Sequence, residues 1–200
     1  MKDLKYQCMK CGTCCFEIED SSGTKRIPLY PEEVDRLIEI AKHRGIEFTV
    51  IEDLVFPELN QKSILVLTYK IILDPKGHCP FFKTSEGCTI HESKPYACQA
   101  YPLSLKTIDA FNLEISVDSL CKWVIKHYDH LKDINLEQLK VIFKDEYPKA
   151  EKFFRKNKSL QLKLRQMETE NKIKLARSIT VEDFNTALKE WARLEIRTIE

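Results

Sequence analysis

The sequence predicts an α+β protein, and three observations point there. Residues 63–73 (SILVLTYKIIL) form a β-branched, apolar run suited to a buried strand. After Cys121 the apolar residues recur at helical spacing. All eight cysteines lie between residues 8 and 121, so a small, loop-rich cysteine-cluster module with few strands (1–121) is expected ahead of a C-terminal helical extension (122–200). Charge divides at the same place. Residues 1–121 carry 14 basic and 18 acidic groups, and residues 122–200 carry 18 basic and 13 acidic.

The elements follow in chain order. Residues 1–25 read as a loop-rich knuckle closing on the turn Ser21-Ser22-Gly23. Pro31 suits the first helical position and Gly45 the position just past a helix end. Val34, Leu37, Ile38 and Ala41 form an apolar stripe between them, so a helix is expected over 31–44. The strand over 63–73 is closed by the turn Asp74-Pro75-Lys76-Gly77. Residues 107–117 (TIDAFNLEISV) alternate at Ile108, Ala110, Asn112 or Leu113, and Ile115, which suits a second strand. Beyond Cys121, the residues Trp123, Val124, His127, Tyr128 and Leu131 keep a helical period. Asn135 can cap a helix carrying Leu136, Leu139, Ile142 and Phe143, ended near Pro148. A third helical stretch covers 149–178. Thr180 with Asp183 resembles a capping box for a last helix containing Phe184, Ala187, Leu188, Trp191 and Leu194.

Composition narrows the function classes. With 200 residues, 43% hydrophobic content and a net charge of +1, the chain has a globular balance and not that of a disordered one. No run of about 18 apolar residues occurs, so no membrane helix is expected. The start MKDLKYQCMKCG lacks the apolar stretch of a secretory leader, so the expected compartment is the cytoplasm. Thiols clustered in a reducing compartment suit metal binding or redox chemistry better than disulfides. Phosphate-binding loops (G-x-G-x-x-G, G-x₄-G-K-[ST]), the G-x-S-x-G elbow and H-E-x-x-H are absent, which argues against nucleotide hydrolysis, a dinucleotide site and those hydrolase classes. The C-x₃-C-x₂-C run of many radical S-adenosylmethionine enzymes is missing as well.

The cysteines are Cys8, Cys11, Cys14, Cys15, Cys79, Cys88, Cys98 and Cys121. The densest motif is Cys8-x-x-Cys11-Gly12-x-Cys14-Cys15. Soft thiolates select zinc, Cu(I) or iron–sulfur clusters over magnesium or calcium. Gly12 permits a tight turn with positive φ. Structural zinc sites usually show two short C-x₂₋₄-C pairs. Here the remote cysteines stand alone, and C-x₂-C-x₂-C with a distant Cys79-Pro80 fits the iron–sulfur pattern. Adjacent side chains diverge in most backbones, so Cys15 is expected to face a different partner from Cys14. Eight thiols allow two sites, with Cys8, Cys11, Cys14 and one remote cysteine in one of them. They also allow a single site with spare thiols packed as small hydrophobes. Aromatic and proline residues bracket the remote thiols in CPFF and in GCTIHESKPYACQAYPL, as a shell that excludes solvent would. His91 and His78 sit near thiols and suit a hydrogen-bonding role beside them, or, for His91, a ligand role in place of a thiol.

These motifs, followed by Cys121, resemble the YkgJ-like CxxCxxCC cysteine-cluster family over about residues 4–123. That family is described as zinc- or iron-chelating, and its members are often labelled Fe–S oxidoreductases. The resemblance implies a metal site drawing on the eight cysteines. It also brings in protein-lysine N-methylase chemistry, because the family includes the cysteine-cluster part of the larger flagellin N-methylases. The leading expectation is a [4Fe–4S] protein with one or two clusters, acting in electron transfer or beside a partner enzyme of redox or modification chemistry. A structural zinc module with an interaction surface is the alternative. The stretch 152–165 (KFFRKNKSLQLKLR) has six basic groups and no acid, which suits RNA, DNA, an acidic partner or a solvated helix face with Phe153 and Phe154 inward. The whole-chain charge lends nucleic acid no further support.

Overall fold

The computed structural model describes residues 4–15, 27–109 and 112–197. In chain order the elements are β1 (Pro28–Leu29), α1 (Pro31–Arg44), β2 (Val50–Glu58), β3 (Ser63–Ile71), β4 (Phe82–Lys83), β5 (Gly87–Cys88), α2 (Tyr96–Ala100), β6 (Leu103–Thr107), β7 (Leu113–Val117), α3 (Lys122–Lys126), α4 (Tyr128–Leu131), α5 (Leu136–Ile142), α6 (Tyr147–Thr169), α7 (Val181–Glu190) and β8 (Ala192–Glu195). The fold is α+β, as expected. It forms two compact units, each built from two stretches of chain. The first holds Met1–Ile27 and Leu73–Arg155, the second Pro28–Ile72 and Lys156–Glu200. Position 121, where charge and cysteine content change, lies within the first unit. The expected knuckle turn at Ser21-Ser22-Gly23 falls outside the described residues. Among the described residues, no helix is long and apolar enough to cross a membrane.

The second unit is organised by β3. Ile64, Leu65 and Val66 have no solvent exposure, as their unbroken apolar run demands. β3 pairs antiparallel with β2 and β1 and parallel with β8. Ile64 and Val66 pack against Ala187, Leu188 and Trp191. α1 has the expected bounds. Pro31 opens it, the Glu33 carboxylate accepts the Tyr30 N–H at 3.0 Å, and Gly45 closes it at φ 62°. Glu58 is fully buried at the end of β2, where its carboxylate accepts the N–H groups of Asn60 (2.7 Å), Gln61 (2.8 Å) and Lys174 (3.0 Å).

Two expectations in this unit are corrected. The helix expected over 149–178 runs Tyr147–Thr169, and Asn171 then turns the chain at φ 55°. Residues 174–176 instead lie along β2, with Leu59 donating to the Lys174 carbonyl (2.9 Å) and Ala176 to that of Pro57 (3.0 Å). The last helix begins at the Thr180 cap, with the hydroxyl accepting the Asp183 N–H at 3.0 Å, but stops at Glu190. Leu194 lies in β8, because backbone pairing with β3 outweighs its helical spacing.

The first unit has shorter elements around a core of Tyr6, Trp123 and Phe143, with Leu103, Val124, Leu139 and Ile142. Tyr6 and Trp123 meet edge-to-face at 5.1 Å, and the Tyr6 N–H donates to the Ile142 carbonyl at 2.8 Å. The single strand expected over 107–117 is instead divided between the end of β6 and β7, which pair antiparallel. The Asp109 carboxylate accepts the Asn112 N–H at 2.9 Å between them. Ala110 lies outside the described residues. Asn135 caps α5 as expected, with Gln138 completing a capping box, but α5 stops at Ile142. Pro148 does not end it. It lies in the first turn of α6, where a missing N–H costs little.

Candidate metal centre

The cysteine-bearing segments of the first unit are tied together by backbone bonds. Gly12 at φ 80° lets the chain close a short turn over Thr13–Cys15, with the Cys15 N–H on the Gly12 carbonyl at 2.6 Å. The Cys79 N–H then donates to the Cys15 carbonyl at 2.8 Å, fixing the N-terminal motif to the CPFF segment. β4 and β5 form a hairpin that sets Cys88 opposite Phe82. At Gly87, φ 76°, an added Cβ would stand 2.8 Å from the Lys10 Cβ, so the N-terminal loop lies directly on this hairpin. Cys98 is carried by α2, and Cys121 stands at the start of α3.

This framework draws Cys14, Cys79, Cys88 and Cys98 into one group, with each of the four within electrostatic reach of the other three. Cys15 joins them through Cys14, Cys79 and Cys98, and Cys8 through Cys88. The Cys14 and Cys15 sulfurs are 3.9 Å apart. The two adjacent side chains therefore do not diverge as expected. In a 3-10 turn, unlike a strand, adjacent side chains can lean to one side. Cys11 lies against Thr13, with sulfur to hydroxyl at 3.3 Å. Cys121 is buried in the core, where its thiol is hydrogen-bonded to the Tyr6 hydroxyl. No disulfide joins any of the eight cysteines.

The electrostatics follow from this crowding. Burial, reinforced by neighbouring thiols, pushes Cys79 up to about 11 and Cys98 well above its ordinary value. Cys15 is raised by its bond to Cys14 and then by burial. Cys88 is also raised by burial. Two amides oppose this, the Phe81 N–H donating to the Cys79 sulfur and the Ile90 N–H to that of Cys88. The Lys94 ammonium favours the thiolates of Cys88 and Cys98. A cation would let these crowded thiols ionise together, and the donor set is all sulfur with aimed N–H groups. The residues present therefore fit a thiophilic metal or cluster. Among the described residues, no three Cys, His, Asp or Glu side chains already close on a single point as an ion would hold them.

The histidines take other partners. His91 Nδ1 is 3.4 Å from the Glu92 carboxylate and its Nε2 3.3 Å from the Lys94 ammonium. His78 Nδ1 lies 3.9 Å from Asp74. Lys94 lies within the GCTIHESKPYACQAYPL segment, and Tyr6 is an aromatic two residues before Cys8; neither carries a metal-ligand signature of its own.

The chain belongs to the family described as "CxxCxxCC: putative zinc- or iron-chelating domain", whose sequence profile matches residues 7–122. This agrees with the resemblance drawn from the motifs and makes the chain a metal-chelating cysteine-cluster protein. No curated protein and no solved structure matches it.

Proposed function

We propose that the chain is an iron–sulfur protein whose centre, a [4Fe–4S] cluster, is held by Cys14, Cys79, Cys88 and Cys98, with Cys8 and Cys15 at its edge. The observation that carries this reading is the mutual proximity of those four thiols, each in reach of the other three. Two features favour iron–sulfur over zinc. The Cys79-Pro80 pair matches the cysteine-proline pairing of iron–sulfur sites, and the remote ligands stand singly instead of in short zinc-type pairs. The Phe81 and Ile90 amides aim at sulfur, as donors that tune a redox centre do.

A bound cluster supplies single-electron chemistry. The chain's own residues set its conditions. Burial at Cys79 and Cys98 holds water back, and the two amides with Lys94 offset negative charge, which favours the reduced state. The role is electron transfer or service to a partner enzyme in the cytoplasm. The test is anaerobic purification followed by iron, zinc and acid-labile sulfide analysis. About four irons and four sulfides per chain are expected for one cluster. Stoichiometric zinc without sulfide, in material never exposed to air, would replace this reading with the structural zinc module.

A further inference from the structure

We infer that the α3 face beside Cys8 is a docking site for an acidic protein that carries single electrons. The inference rests on the reading of the thiol group as a redox cluster, and it names the kind of partner with which that cluster exchanges electrons. A groove of about 440 Å³ lies here, with Cys8 and Met9 on one wall and Trp123, Lys126 and His127 on the other. Cys8 is half-buried and within electrostatic reach of Cys88, so the thiol group approaches the surface at this groove. A second cavity, of about 320 Å³, also touches Cys8, but its walls hold Glu92 and Glu146 as well as Lys94 and Lys149 and select neither sign of charge.

The surface around the groove has the make-up of a protein interface. Met9 is 50% exposed, and Ile125 and Tyr128, next in the chain to the groove residues Lys126 and His127, are 60% and 61% exposed. Large apolar and aromatic side chains of this kind form the centres of interfaces, where water is displaced. The rim gives the sign of the partner. Lys122, Ile125 and Lys126, three and four residues apart, share one exposed face of α3. Other lysines of this unit meet carboxylates: Lys5 meets Asp145, Lys83 Glu86, Lys132 Asp129 and Lys140 Glu137. Among the described residues, Lys122 and Lys126 form no ion pair and no carboxylate bounds the groove. Burial, Lys126 and His130 all lower the His127 pKa, with no carboxylate there to raise it. An acidic surface supplies the missing counter-charges. Exposed charges of opposite sign steer two proteins together without a large interface, which suits a brief encounter. In it one electron leaves the carrier's centre and enters the cluster, with no bond made or broken. Two lysines around apolar side chains fall short of the row of phosphate contacts that nucleic acid requires.

The test uses the anaerobically purified holoprotein and, as the acidic probe, a plant-type [2Fe–2S] ferredoxin. The two are titrated by calorimetry at about 20 and about 200 mM salt, alongside iron and sulfide analysis of the same samples. Saturable binding is expected at low salt, about tenfold weaker at high salt. The double variant Lys122→Glu, Lys126→Glu should bind about tenfold more weakly and Ile125→Ser about threefold, at unchanged iron content. Lys140→Glu, which alters net charge at a lysine already facing Glu137, should change affinity less than about twofold. Absent binding, equal affinity in wild type and the double variant, or tighter binding of a single-stranded DNA of about 20 nucleotides than of the ferredoxin overturns the inference. A sample without iron and sulfide overturns the cluster reading instead, and the analysis shows this before any titration.

Discussion

The two units reach order by different routes. In the second, β3 buries Ile64, Leu65 and Val66 completely, and α1 and α7 carry capped N-termini over an apolar core. In the first, the thiols ride on two-residue strands, a three-residue turn and a five-residue helix, none of which buries enough apolar surface to stand alone. The Tyr6–Trp123–Phe143 region forms an apolar core there, and Phe81 and Ile90 are buried beside the thiols. Apolar area supports the second unit throughout, whereas in the first the thiol-bearing segments are short, so metal binding there is expected to add to folding energy.

That contrast fails or holds on metal removal, where the largest effect is expected. Anaerobic chelation should abolish amide-exchange protection around residues 79–100 and leave β3 protected. Equal loss in both units would break the comparison. Burial raises the thiols, so they hold their protons without metal and release them on loading. The apparent metal affinity should therefore rise with pH between about 6 and 8, by about tenfold per unit for each proton displaced. A competition titration reads this directly, and pH-independent affinity would contradict it.

Leu65→Ala should cost the second unit about 3 kcal/mol in denaturant unfolding, with metal stoichiometry unchanged. Gly87→Ala acts in the opposite unit. It places a Cβ against Lys10 and strains a positive φ, so about 2 kcal/mol and part of the metal affinity should be lost. The smallest effect concerns Glu58. Burial raises its carboxyl, but the Lys174, Gln61 and Asn60 amides and the Ser63 hydroxyl outweigh that and hold it below its ordinary 4.5. Its contribution to stability is therefore full above pH 4.5 and drains as pH falls through the lower, folded value. Glu58→Gln should remove that acid dependence from the second unit, as read by unfolding midpoints between about pH 3 and 6.

Local chemistry made part of this fold legible. Pro31 and Gly45 bound α1, Asn135 and Thr180 cap their helices, and the apolar run expected as a strand over 63–73 forms β3 up to Ile71. What stayed hidden depends on partners distant in the chain. β2 carries Glu52, Asp53 and Pro57 and slips register around Leu54, so neither alternation nor apolar content marks it. β8 is a strand only because β3 lies beside it. The candidate site divides in the same way. Residue type and the 8–15 spacing disclose thiophilic chemistry, but the grouping of Cys14 with Cys79, Cys88 and Cys98 arises from tertiary bonds such as that from Cys79 to Cys15. Adjacent side chains diverge in most backbones, and the tight turn over Thr13–Cys15 is an exception that residue spacing does not disclose.

X-ray absorption at the metal edge of anaerobically purified protein tests the central idea most directly. An all-sulfur first shell at about 2.3 Å, lost on replacing Cys14 and Cys98 by serine, is the predicted result. A shell of nitrogen and oxygen, or one unaltered by those replacements, would contradict the account.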